Sequence, residues 1–473
     1  MHDLARVSLL GSVVALALLG SAACWKVAPD SSDQIFLEGS SAESTLVESI
    51  LVTADGAADG SAGDGDLADG AADSEGASPL VIAPGASPLL ATGAAFGCRI
   101  DAAGAVGCWG DDGFGQVGST PSTVSIPDAQ QVMGVPTAVA LALGDSHACA
   151  LTTGHAVYCW GLNDAYQLGH PAATGGDQIC LGAAPGQTVP CSSNPTLVAD
   201  LPDAVAIAAA GAWTCILATD GTVRCWGAVQ GMASDAGVGC GLGTQASGGT
   251  CYAAPYTVAG LGGATLLAVG FDHACAIVAA GAESDAGNQV SCWGSNAEGQ
   301  VSPSACPQST CTSALARSDL PTTTSLATGD RFSCALAADG TVRCFGDNTF
   351  DQLGHASGTS GDQGTAGPDG GFGVYDPAAT QALASSVVSL VGGGNEAVCA
   401  LLESGAAECW GDVSTTGSAT PVGVTGLPPL NALGAFDAAY VCGLAAADGS
   451  PWCWTLGSTS RPVSIATAVD GGG

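Results

Sequence analysis

From about residue 78 onward, short apolar runs alternate with clusters of Gly, Pro, Asp, Asn and Ser. Ala204-Val-Ala-Ile-Ala-Ala-Ala-Gly211 is one such run. Behind it come Cys215-Ile-Leu-Ala218, the polar Thr219-Asp220-Gly221, and Val223-Arg224-Cys225-Trp226-Gly227. A Pro-bearing segment, Asn194-Pro-Thr-Leu-Val198, stands ahead of it. Apolar stretches this short, bounded by turn formers, predict strands. The 3.6-residue period of amphipathic helices is absent. Each unit is therefore expected to hold four strands: Pro segment, apolar run, cysteine strand and Cys-Trp-Gly strand.

The unit recurs seven times, with first cysteines at Cys98, Cys149, Cys215, Cys275, Cys334, Cys399 and Cys442. Four-stranded units in that number read as blades of a β-propeller, packed face to face around a channel. Their partners are Cys108, Cys159, Cys225, Cys292, Cys344, Cys409 and Cys453. In the third unit a three-residue loop over 219–221 puts Ala218 opposite Thr222 and Cys215 opposite Cys225. Directly opposed residues at a non-hydrogen-bonded pair lie about 4.5 Å apart at Cα, within disulfide reach. Such loops favour a left-handed final residue, which Gly tolerates best. Gly104, Gly221, Gly340 and Gly405 fill that slot. His155 holds it in the second unit, with Gly154 one place earlier, so a different turn is expected there. Six more cysteines come as neighbours, Cys180 with Cys191, Cys240 with Cys251 and Cys306 with Cys311. They are expected to staple three inter-strand loops.

Composition fixes the compartment. Twenty-one cysteines, none spaced as CxxC, suit disulfides in an oxidising environment better than metal or free thiols. Arg6 precedes an apolar run from Val7 to Gly20 and then Ser21-Ala-Ala-Cys24, which reads as a signal peptide over 1–24 with a lipobox-like end. Cys24 is the expected lipid attachment site, and setting it aside leaves an even number of cysteines. The expected location is a bacterial outer membrane or cell surface, with secretion or the periplasm as the alternative. Residues 25–77 are rich in Asp, Gly, Ala and Ser and read as a disordered acidic tether. Asp64, Asp66 and Glu75 match three EF-hand positions, but Ala68 and Asp69 break that match.

The chain carries 43 acidic and 8 basic residues, a net charge of −35. A nucleic-acid interface needs a basic face to displace counterions from phosphate. The six arginines of residues 78–473 are dispersed among 30 acids, so no nucleic-acid partner is expected, and no membrane contact beyond a lipid anchor.

Gly144-Asp-Ser-His147-Ala-Cys149-Ala-Leu151, Asp220-Gly-Thr-Val-Arg-Cys225-Trp226-Gly227, Gln167-Leu168-Gly169 and Gln352-Leu353-Gly354 resemble the regulator of chromosome condensation repeat, in a cysteine-rich bacterial form. The resemblance covers residues 78–473 and implies a seven-bladed propeller. The fold class expected is thus all-β: a single seven-bladed β-propeller of four-stranded blades over 78–473, after the disordered linker. The carboxy-terminal Arg461-Pro462-Val463-Ser-Ile465 is expected to complete the first blade and tie the ends together, although Ser78-Pro79-Leu-Val-Ile82 can play that part too.

Chemistry is sparse. No Gly-x-Ser-x-Gly, HExxH or phosphate-cradling loop occurs. Gly144-Asp145-Ser146-His147 has catalytic residue types, yet its repeat slot also holds Thr214 and Phe332, which marks packing. His147 and His273 are expected to be hydrogen-bonded blade residues, and Trp109, Trp160, Trp226, Trp293, Phe345 and Trp410 to fill contacts between blades. His170 and His355 follow Gln-Leu-Gly without clustered metal ligands. No catalytic, metal or cofactor residues are assigned. The longest unpatterned insertion, Gly354–Asp376, offers Asp362, Asp369, Phe372 and Tyr375 as a candidate binding loop. The leading expectation is a monomeric, non-enzymatic scaffold that binds a protein partner. A carbohydrate or cell-wall module and an enzyme with its site at the channel mouth are the rivals, and nucleotide exchange is disfavoured.

Overall fold

The computed structural model describes residues 35–37 and 90–467, apart from 102, 183–185, 230–237, 240–249, 280–286, 304–309, 357–362, 367–371, 384–385, 394–395, 414–417, 435–439, 448–450 and 457–461. Among the described residues every regular element is a strand, and the strands form seven sheets, antiparallel but for one parallel edge pair, the blades of a seven-bladed propeller.

Blade three shows the plan. Its inner strand is Ala204–Ala210, its second Trp213–Ala218, its third Val223–Val229 and its outer Thr250–Thr257. The second strand is buried at all six positions, as are His147–Thr152 and Phe332–Ala337 in blades two and five. These strands are covered on both faces by neighbouring blades, which is why they read as continuous apolar runs rather than alternating ones. Consecutive blades share one apolar cluster each. Trp213 and Leu217 of blade three pack with Ala274, Ala276 and Trp293 of blade four, for example.

Blade boundaries differ from the expected unit by one strand. The Pro segment Asn194–Val198 does not open blade three. Within Thr188–Leu197 it pairs with Val157–Leu162, with Thr196 opposite Cys159, and so closes blade two. The same shift moves the carboxy terminus. Val463–Thr467 does not complete the first blade; it pairs with Pro451–Thr455 as the outer strand of blade seven. Blade one is made from one contiguous stretch, Leu90–Thr92, Phe96–Ile100, Val106–Asp112 and Ser122–Gln131. Blades two, three and five gain a fifth edge strand, at Gln178–Leu181, Val238–Gly239 and Gln363–Ala366. Ile35–Leu37, within the expected tether, pairs in parallel with Val463–Thr467, while the rest of 25–77 lies outside the described residues.

Cysteines face each other as the hairpin register requires. Cys98–Cys108, Cys149–Cys159, Cys215–Cys225, Cys275–Cys292, Cys334–Cys344 and Cys399–Cys409 are disulfides with Cα separations of 4.0–4.1 Å. Cys442 and Cys453 occupy opposed backbone positions. Cys180–Cys191 bridges the edge hairpin of blade two. Cys251 and Cys311 are disulfide-bonded, and Cys240 and Cys306 lie outside the described residues.

One expected difference is absent. His155 takes φ 61° itself, beside 80° at Gly104 and 75° at Gly221. Its N–H donates to Thr152 O at 2.9 Å, as Gly221 N–H does to Ala218 O at 3.0 Å, so the two turns are the same. His155 Nδ1 lies 2.9 Å from Ala204 O on the inner strand of blade three, a contact between blades that accompanies the left-handed backbone.

Candidate functional site

The residues that repeat are consumed by holding blade to blade. The Trp of each Cys-Trp-Gly is followed by a bulge, and its Gly has φ between 92° and 112° in blades one to six. A Cβ on Gly227 would lie 2.4 Å from Ala212 O, so no other residue fits there without a shift. The bulge turns the Trp towards the preceding blade. Trp160, Trp226 and Trp410 donate from Nε1 to the main-chain oxygens of Gln116, Gln167 and Gln352 at 2.8–2.9 Å.

Those glutamines belong to a clasp with four copies among the described residues. Oδ1 of Asp112, Asn163, Asn296 and Asn348 accepts the N–H of Val117, Leu168, Val301 and Leu353, at 2.9–3.2 Å. Oε1 of Gln116, Gln167, Gln300 and Gln352 accepts an N–H two residues back, at 2.8–2.9 Å. Sequence reading found only the two Gln-Leu-Gly copies. The others carry Val for Leu, and Asp112 or Asn296 four residues ahead of the Gln was the signal that finds all four.

His147 and His273 are also blade-to-blade contacts. His147 Nε2 lies 2.8 Å from Thr214 Oγ1 of blade three, and His273 Nε2 lies 2.7 Å from Ser333 Oγ of blade five. Both rings are wholly buried. Burial lowers the His147 pKa to about 3, so the ring is neutral and unsuited to proton transfer near neutrality. His170 and His355 sit beside Asn163 and Asn348 in the clasps, with Nδ1 3.3 and 3.2 Å from the amide nitrogens. His170 Nε2 lies 3.7 Å from buried Asp177. Among the described residues no group of three or more metal-ligating side chains occurs.

Charged side chains of three blades gather at one end of the sheets. Loops joining inner to second strands and third to outer strands lie at the same end of each antiparallel sheet. That end carries Asp272, Glu298, Asp330, Asp347, Glu396 and Asp412 from blades four to six, around the exposed Arg331. Burial, then the field of Asp347, raises the Glu396 pKa to about 8, with Asp330 and Asp412 adding and Arg331 opposing. Burial and the field of Asp272 raise Glu298. Burial lowers the pKa of Arg331, and Glu298, Asp272, Asp347 and Glu396 more than reverse that effect. Sequence reading missed this face, because its members are far apart in the chain; Gly346-Asp347 and Gly411-Asp412, which repeat Gly110-Asp111, were the signal for part of it.

Of the candidate loop, Phe372 and Tyr375 lie on the outer strand Phe372–Leu383 of blade five, paired with Ala366 and Gln363. The insertion is thus partly a β-hairpin rather than unpatterned loop. Asp362 and Asp369 lie outside the described residues. In sequence, Asp362 follows His355 at the spacing at which Asp177 follows His170.

Known proteins agree with this architecture. The family described as "Regulator of chromosome condensation (RCC1) repeat" matches at residues 138–167, 324–352 and 155–217. Prp20p from Saccharomyces cerevisiae, in a crystal structure concerned with its binding to Gsp1p and histones, is 18% identical with a TM-score of 0.59, over 78% of this chain and 87% of that one. Yeast RCC1 (Prp20) bound to Kap60 is 17% identical with a TM-score of 0.59, over 85% of this chain and 92% of that one. Human WBSCR16 is 17% identical with a TM-score of 0.58, over 76% and 87%. No curated protein sequence matches the chain.

Proposed function

From the premise that this chain is built of regulator of chromosome condensation repeats, we propose that it is a non-enzymatic scaffold whose acidic face docks a basic segment of a protein partner. One observation carries the reading: the clasp and blade-contact side chains are engaged between blades, whereas charged side chains of blades four to six meet at one end around Arg331. A face of carboxylates attracts cationic side chains and steers their approach. Two structures of one similar propeller, Prp20, concern binding to proteins, Gsp1p and histones in one and Kap60 in the other, which fits a docking scaffold. Protein binding is favoured over sugar binding because Trp160, Trp226, Trp293 and Trp410 are wholly buried, so these four rings offer no stacking surface.

The scaffold is placed outside the cytoplasm in this reading, anchored by lipid at Cys24 through a linker of residues 25–77, of which Ile35–Leu37 pairs with blade seven. Its disulfides support an oxidising compartment. Labelling of cells with radioactive palmitate tests the anchor: incorporation by the natural chain and none by Cys24→Ser is expected, and equal labelling of both rejects it. Crosslinking from intact cells tests the docking. Capture of a basic protein that is lost when Asp330, Glu396 and Asp412 become Asn, Gln and Asn supports it. Retention on isolated cell wall, with no protein captured, rejects it in favour of a carbohydrate module.

A further inference from the structure

The acidic face is incomplete at one joint, between blades five and six. In blades one, two and four the clasp glutamine donates its amide to a carboxylate of its own neighbourhood. Gln116 Nε2 reaches Asp111 at 3.1 Å, Gln167 Nε2 reaches Asp164 at 3.2 Å, and Gln300 Nε2 reaches Glu298 at 3.2 Å and Asp272 at 3.4 Å. In blade five this contact is missing. Asp347 is turned to its own loop, where its Oδ1 accepts the Thr349 N–H at 3.0 Å and the Thr349 hydroxyl at 2.6 Å. Gln352 is wholly buried, and among the described residues its Nε2 has no acceptor.

Across the joint, Glu396 has the opposite deficit. Its Oε2 is buried and has no donor among the described residues. The two residues flank Gly411: a Cβ there would come within 3.1 Å of Gln352 Cβ and 2.2 Å of Glu396 O. The Gln352 Cβ and the Glu396 main-chain oxygen thus meet at one glycine, which brings the two residues to the same joint.

Charge decides whether they join. Burial and the fields of Asp347, Asp330 and Asp412 oppose ionisation of Glu396, and Arg331 alone favours it among its charged neighbours. A further cation at this place would offset the carboxylates and stabilise ionised Glu396. The ionised carboxylate is then a stronger acceptor for the Gln352 amide, of the kind its counterparts in the other blades have.

We propose that this joint seats an arginine or lysine side chain of the protein partner, and that seating it expels the Glu396 proton to solvent. The inference rests on the docking role of the acidic face. It adds the chemistry of the contact and a link between partner binding and pH. By that linkage the partner binds more tightly as pH rises, because proton and cation compete for one carboxylate.

Calorimetry of the full chain with a nona-arginine peptide, in buffers of different ionisation heat at pH 7 and across pH 6–9, tests this. The expected result is a net release approaching one proton per peptide bound at pH 7 and affinity rising several-fold from pH 6 to pH 9. Glu396→Gln should bind without that release and with a flat profile, while Glu403→Gln, at the opposite end of the blade, should match the natural chain. Thermal unfolding of both variants confirms that they are folded, and the buffer comparison on the natural chain needs no variant. Binding without proton release, or release that persists in Glu396→Gln, overturns the inference and leaves the docking role standing. Absence of peptide binding at every pH overturns both.

Discussion

The Arg317 guanidinium lies 3.8 Å from the centroid of the Phe345 ring, wholly buried between blades four and five. Together the pair replaces a Trp. Phe345 occupies the Cys-Trp-Gly tryptophan slot, and Arg317 the slot of Val132, Val198, Val258 and Val424, each of which donates its N–H to the third strand of its blade. Phe345 has no ring N–H, and Arg317 supplies the lost donor through Nη1 to Gly299 O at 3.3 Å, while Asp319 holds the guanidinium at 2.6 and 2.9 Å.

Exchanging both partners for the common pair is therefore expected to be mild, and exchanging either alone severe. Arg317→Val should cost about 2–4 kcal/mol, through loss of the stacking and hydrogen bonds of a buried cation and the cavity left behind. Phe345→Trp alone overpacks against Arg317, at about 1–3 kcal/mol. Denaturant unfolding of the double variant should recover to within about 1 kcal/mol of the natural chain. Additive losses would show that the two do not act as a unit.

His147 and Thr214 should behave likewise. Thr214→Val strands a wholly buried ring nitrogen and is expected to cost about 1–3 kcal/mol. The first two blades show the apolar solution, with Phe96 and Ala148 at the corresponding positions. His147→Phe combined with Thr214→Ala should restore much of the loss, read as a shift in Tm.

Two groups bound the pH range of stability. Glu396 has a folded pKa of about 8 against an ordinary 4.5, so its contribution is complete below about 4.5 and is lost as pH rises towards 8. His147 has a folded pKa of about 3 against 6.5, so its contribution is complete above 6.5 and is lost as pH falls towards 3. The slopes cancel between those windows, and Tm should plateau from about pH 4.5 to 6.5. Burial of Asp145 and Asp412 raises them too and tilts the plateau towards acid. Glu396→Gln should remove the alkaline decline, and His147→Phe with Thr214→Ala the acid one. A decline unchanged in these variants would assign it elsewhere.

The blade hairpins should depend on oxidation. Closing a loop of about eleven residues contributes roughly 2–4 kcal/mol, so replacing Cys215 and Cys225 by Ala should lower denaturant stability by that order. Production in a reducing cytosol should give little folded chain, measured by solubility and non-reduced mass spectrometry.

The hairpins were legible because a three-residue loop fixes register locally: once Thr219-Asp220-Gly221 is a turn, Cys215 must face Cys225. Blade membership was not, since whether Asn194–Val198 joins the sheet before or after it depends on sheet order across the ring, which strand pattern alone does not encode. The left-handed backbone of His155 was not legible, because the contact that accompanies it, to Ala204 O of blade three, is 49 residues away and is made only by blade packing. Asp272, Arg331 and Glu396 were invisible as a group, since only blade packing brings those separate loops together.

Crosslinking mass spectrometry on intact cells tests most directly whether the acidic end is a protein-docking face. The natural chain should crosslink through Asp330, Glu396 or Asp412 to lysines of one partner, and the Asn, Gln, Asn variant should lose that product at unchanged Tm. Crosslinks confined to the opposite end of the blades, or equal capture by both chains, would contradict docking at this face.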